Sequence, residues 1–157
     1  MVAATEDWAL FFHLLGAFAF VSGAIVATVA FEAARSRRRP SEIALLLGVT
    51  RVGVALVGIG VLVVVPFGLW LVHLEDVDYG AGWVDAALGL LVAAGVLGWL
   101  GGQSPKRARL LAERLAAADD AETGELRALL DDRTARTANW LTAVLVVAIV
   151  ALMVFKP

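Results

Sequence analysis

The chain has 157 residues, 61% of them hydrophobic, with a mean hydropathy of +0.84 and a formal net charge of −2. So apolar a composition excludes a freely water-soluble globular domain. There is no cysteine, which excludes disulfides, thiolate metal sites and cysteine nucleophiles together. Eleven arginines stand against two lysines, and with the heavy use of Ala, Val, Leu and Gly this points to a high-GC bacterial source.

The first apolar run, about residues 8–31, follows Glu6 and Asp7 with no Lys or Arg before it. A cleaved leader has a basic start and about 7–15 apolar residues, so a retained helix is expected here. A bilayer core of about 30 Å takes about 20 helical residues. The runs at about 44–72, 83–100 and 138–155 also approach that length. The expected fold class is therefore all-α: a single polytopic domain, a four-transmembrane-helix antiparallel bundle.

The first connection carries Arg35, Arg37, Arg38 and Arg39 and turns at Pro40. Ser41 is expected to cap the second span, with Glu42 in its first turn. That span is longer than the bilayer requires, so its basic end protrudes or tilts. This places Arg51 at the interface, snorkelling toward water or holding an anion or lipid headgroup. The second connection, about residues 73–82, is short and acidic, with Glu75, Asp76 and Asp78, and is expected to tie spans two and three into an antiparallel hairpin.

Residues 104–136 form the one sizeable water-facing segment, expected to be a cytoplasmic helical hairpin between spans three and four, lying on the bundle or on the membrane. Ser104-Pro105 reads as a helix start, and Leu110, Leu111 and Leu115 recur at helical spacing. A second pattern through Leu126, Leu129 and Leu130 is expected to run unbroken into the fourth span. With few apolar anchors the hairpin is expected to exchange its amides faster than the spans. Its seven basic and seven acidic residues cancel, which argues against a nucleic-acid footprint.

Eleven basic residues flank the spans on one side and only Lys156 lies on the other. Basic loops stay inside, so both termini are expected to face outward from a bacterial inner membrane. Trp8, Trp70 and Trp83 then form an outer aromatic belt, with Trp99 and Trp140 forming the inner one.

His13 is the leading candidate for chemistry. It lies about five residues inside Trp8, about 7 Å into the membrane, where ionisable groups usually face a bundle interior or a cavity. It shares a face with Ala17, Phe20, Ala24 and Ala27, and a neutral imidazole there can ligate a metal or haem iron or simply pack through a hydrogen bond. His73 closes the second span on the same side. Two histidines fall short of the three or four protein ligands zinc takes. Carboxylates at Glu6, Asp7, Glu75, Asp76, Asp78 and Asp85 would complete a cation or copper-entry site, or form a solvated rim. Small residues every fourth position, Ala19, Gly23 and Ala27 and then Ala94, Gly98 and Gly102, mark packing faces or an oligomer interface. Thr134, Thr137, Asn139 and Thr142 read as interhelical hydrogen-bond partners rather than a conduction path. Phosphate loops, histidine pairs at i, i+4 and activated-serine elbows are absent from the sequence.

The run Phe12-His13-Leu14-Leu15-Gly16 followed by Val21-Ser22-Gly23 resembles the first helix of small bacterial membrane proteins related to the CopD copper-resistance family and to HemJ-type protoporphyrinogen oxidases. The Pro66-Phe67-Gly68-Leu69-Trp70-Leu71 end of the second span is similar to a four-helix branch of that group. The resemblance implies haem or copper as cofactor with His13 as its ligand; His73, on the same side but about 10 Å different in depth, is the second cofactor-binding or metal-ligand candidate from the residues themselves. Three readings stand: a haem- or metal-binding membrane protein, a non-catalytic subunit or scaffold, and a small oligomeric channel or transporter. The partners implied are the lipid bilayer and a homo-oligomer or larger membrane complex.

Overall fold

The computed structural model describes residues 2–74 and 82–155. They form α1 (Val2–Arg35), α2 (Pro40–Leu74), α3 (Gly82–Gly101), α4 (Gln103–Ala116), α5 (Gly124–Leu130) and α6 (Arg133–Phe155). The all-α fold with a helical hairpin between the third and fourth spans is as expected; the acidic connection with Glu75, Asp76 and Asp78 lies outside the described residues. The hairpin end carries the α1–α2 turn, α4 and α5, and the terminal end carries Trp8, Trp70 and Trp83.

The helices pack as two antiparallel pairs, α1 with α2 and α3 with α6. The expected close hairpin of spans two and three does not form, for α2 and α3 share no extended contact among the described residues. The physical reason lies in the seams. On α1, Ala9, Gly16, Gly23 and Ala30 are buried at every seventh position, with Phe20 and Ala34 buried four residues after Gly16 and Ala30 on the same seam. On α2, Gly53 and Gly60 repeat the same spacing. A Cβ on Gly16 would lie 2.6 Å from the Val64 backbone nitrogen, and one on Gly23 2.7 Å from the Gly53 carbonyl oxygen. The two backbones thus touch directly, and larger side chains have no room there. Such a repeat keeps its seam in contact only in a left-handed wrap. The spacing of four was a partial guide: Gly23 and Ala27 meet α2, whereas Gly98 faces open space.

The second pair is built less tightly. Val84, Ala87 and Ala94 of α3 and Ala135, Ala138 and Val146 of α6 are its buried residues. A Cβ on Gly101 would stand 3.1 Å from the Ala138 Cβ, a contact between side chains rather than backbones. The two pairs meet across Thr28, whose hydroxyl donates to Asn139 Oδ1 at 3.4 Å. That contact fulfils the expectation of an interhelical role for Asn139. The Thr142 hydroxyl instead bonds back to the Ala138 carbonyl in its own helix.

The largest buried cluster lies at the hairpin end, where Phe31, Ala34, Ile43 and Leu47 receive Ala108, Ala112, Leu126 and Leu130. The expectation of a thinly anchored hairpin is corrected: α1 and α2, at 34 and 35 residues, outrun the bilayer and give α4 and α5 an apolar platform. The element boundaries shift as well. The first residue of α4 is Gln103, preceded by Gly102 with no side-chain cap, so Ser104 is free to donate to Asp132. Thr123 caps α5, its hydroxyl accepting from the Leu126 N–H. A break at Asp131 and Asp132 separates α5 from α6, and Asp132 accepts the Thr134 N–H at 2.9 Å.

Candidate functional site

His13 occupies a seam position of α1 and meets α2 at the turn that carries Pro66. Proline has no N–H to donate, so the Leu62 carbonyl loses its helical partner and this turn is loosened. Two residues on, the Val64 carbonyl oxygen lies 2.9 Å from His13 Nδ1. A carbonyl can only accept, so Nδ1 is the donor in this bond. The ring rests on Gly68, where a Cβ would stand 2.9 Å from both Nδ1 and Cε1. Any side chain at that position would unseat the imidazole.

A row of aromatic rings lies on the same end of this helix pair. Phe12 stacks on Phe67 with centroids 4.9 Å apart, and Phe67 leads to Trp70 at 5.9 Å. Trp8 closes the row against Phe12 at 6.1 Å and Phe11 at 6.0 Å. The terminal end of the first pair thus carries an aromatic row and one half-buried imidazole.

His73 is not brought to this site. It lies five residues beyond Gly68, about 7.5 Å along the helix and about 140° around it, and it is exposed. Among the described residues no three His, Cys, Asp or Glu side chains converge where they could hold a metal ion. Glu75, Asp76 and Asp78 fall outside the described residues, and Asp7 and Asp85 are exposed. Arg51 is exposed on the side of α2 opposite the α1 seam, consistent with snorkelling.

The hairpin end holds residues that the sequence reading did not single out. Arg127 of α5 donates from Nη1 to the Arg35 carbonyl and from Nη2 to the Arg37 carbonyl, both at 2.8 Å, and also pairs with Glu122. It puts a cation on the carbonyl end of α1. Asp120 accepts from the Ser41 N–H and hydroxyl, both at 2.8 Å, putting an anion on the amide end of α2. Both charges oppose the helix dipole they face. Ser41 therefore lies inside the first turn and is itself capped from outside. Asp120 reaches it with φ 51°, a left-handed conformation that Asp adopts more readily than most residues. Arg35 links Glu32 at 2.9 Å with Asp131 at 3.1 Å. The Ser104 hydroxyl beside Asp132 holds its carboxyl below the ordinary 3.8; slight burial opposes this, and the Thr134 and Ala135 N–H groups reinforce it.

Among the described residues, four helices are long and apolar enough to cross a bilayer, as in an integral membrane protein. The chain belongs to the family described as "Predicted integral membrane protein (DUF2269)", which it matches over residues 8–157. No curated protein and no solved structure matches it.

Proposed function

We propose that the protein is a non-catalytic membrane subunit, a rigid four-span scaffold within a homo-oligomer or larger membrane complex. The observation that supports this reading is the use of its polar groups. Within the spans His13 bonds Val64, Thr28 bonds Asn139, and Ser22, Thr50 and Thr142 bond carbonyls of their own helices. Each serves the fold. In the orientation that follows from the basic asymmetry, the hairpin end faces the cytoplasm of a bacterial inner membrane and the terminal end faces outward. A reporter active only in the cytoplasm should work at Gly124 and be silent at the C-terminus. The test of the scaffold reading is the mass of the assembly taken from membranes in polymer-bounded discs without detergent. A mass well above the 16.5 kDa chain is expected. A single chain throughout would overturn the reading.

One observation favours a second reading, haem binding through His13. A donated Nδ1–H orients the imidazole, as protein-bound metal ligands require. The CopD and HemJ likeness points the same way. A Soret band on haem addition, lost in His13→Ala and kept in His73→Ala, would replace the scaffold reading with this one. Protein that acquires neither haem nor metal would end it.

A further inference from the structure

We propose that the groove between α3 and α6 at the hairpin end is a binding site for one anionic glycerophospholipid. Its apolar walls are Leu97 and Leu100 of α3 and Leu141 of α6, and its rim holds Arg133, Thr134 and Thr137. The two leucine-bearing walls lead down into the bilayer. Trp99 and Trp140, which are 68% and 62% exposed and mark the membrane interface on this side, adjoin the wall residues Leu100 and Leu141, and Arg133 lies about 10 Å further along α6 on the headgroup side. A phospholipid has the same polarity profile along its length: a phosphate at the interface and a chain below it.

The charge at the rim is available. Arg133 is exposed and has no ion-pair or hydrogen-bond partner among the described residues. Its acidic neighbours are both engaged elsewhere, Asp131 with Arg35 and Asp132 with Ser104 and the Thr134 N–H. An arginine fork matches a phosphate with two parallel hydrogen bonds, and the Thr137 hydroxyl is a second donor one helical turn further along. A second groove offers a contrast. Between α1 and α2, Ile25, Val29, Ala33, Leu46 and Val49 line a depression with apolar residues alone. It can seat a hydrocarbon chain but offers nothing to a headgroup.

The site is independent of the scaffold reading and requires only that the chain spans a bilayer. The test uses the full chain in nanodiscs of equal phosphatidylglycerol and phosphatidylcholine, released and weighed by native mass spectrometry. One phosphatidylglycerol per chain should be retained in preference to phosphatidylcholine. A basic residue near a membrane surface contributes enough that Arg133→Gln should reduce retention about fivefold. Leu141→Trp, which fills the groove, should reduce it with the arginine intact. Arg38→Gln at the same end and Val29→Trp in the apolar groove should leave it unchanged, and circular dichroism should show every variant folded. Equal loss in Arg38→Gln, no loss in Arg133→Gln, or equal retention of both lipids would overturn the site. Displacement by millimolar inorganic phosphate would reassign it to a free anion and overturn it as well.

Discussion

The two helix pairs solve the same problem in different ways. In the first, α1 and α2 approach until glycines face backbone atoms, and the seam is locked at its hairpin end by Asp120 and Arg127. In the second, α3 and α6 meet through alanine and valine side chains, with Asn139 as the polar link to Thr28. In a bilayer, lipid tails are as apolar as leucine, so helices associate through packing and hydrogen bonds rather than through loss of water. The comparison teaches that closeness of approach, which only glycine permits, sets which pair is rigid.

The sharpest way to break the comparison is to add bulk where the first pair has none. A Cβ on Gly60 collides with the Phe20 backbone and lies 2.8 Å from the Gly16 carbonyl oxygen. Gly60→Leu is expected to cost about 3 kcal/mol or more, at the upper end of overpacking, read as a lowered midpoint of unfolding in mixed micelles. Gly98→Leu on α3, where the glycine faces open space, should shift the midpoint little. Equal losses would mean that both seams are equally tight.

Next in size is the hairpin lock. Arg127→Ala removes two charge-assisted bonds to the end of α1 and frees Glu122. Because the group is part-exposed, a loss of about 2 kcal/mol is expected rather than the sum of its bonds. Amide exchange should rise in α5 and around Ser36 while the middle of α1 stays protected. Unchanged exchange in α5 would show that the apolar cluster holds the hairpin unaided.

The legibility of this molecule follows the range of the forces involved. Spans and charge asymmetry are local properties, and they could be read directly. The α1 seam was also present in the sequence, in the sevenfold spacing of Ala9, Gly16, Gly23 and Ala30. Reading by four mixed seam with flank. The depth of His13 was legible, but its partner was not, because a main-chain carbonyl has no residue signature and Gly68 contributes only the lack of a side chain. The lock at the hairpin end joins residues 79 and 92 positions apart, beyond any periodicity. The same long range explains why leucines among charges looked like a surface hairpin. What buries them is the excess length of two other helices.

A third prediction tests His13 itself. His13→Ala leaves the Val64 carbonyl with its own helix alone, and such interhelical bonds in membranes contribute about 0.6–1.7 kcal/mol. A loss of about 1 kcal/mol in unfolding is expected, with Gly68→Ala producing a comparable loss by displacing the ring. If Gly68→Ala is neutral, the imidazole is not seated there.

The smallest effect is on pH. The folded state lowers the Asp132 carboxyl below its ordinary value, first through Ser104. A depressed carboxyl contributes stability that is present above its ordinary value of 3.8 and is lost as pH falls through the folded one. Exchange at the Thr134 amide should therefore accelerate below about pH 4, and Ser104→Ala should bring that acceleration to higher pH. An identical profile in the variant would detach Ser104 from Asp132.

The separation of the pairs has a consequence in time. α1 and α2 are adjacent in the chain and complete their seam with no help from later residues, so that unit closes early in synthesis. α3 emerges next and shares no extended contact with α1 or α2 among the described residues; its packing partner is α6, about thirty residues further on. The charged pieces that fasten the first pair, Asp120 and Arg127, arrive in that interval. The order of the sequence is therefore also an order of assembly: a finished hairpin, then its fastening, then the closing of the second pair beside it.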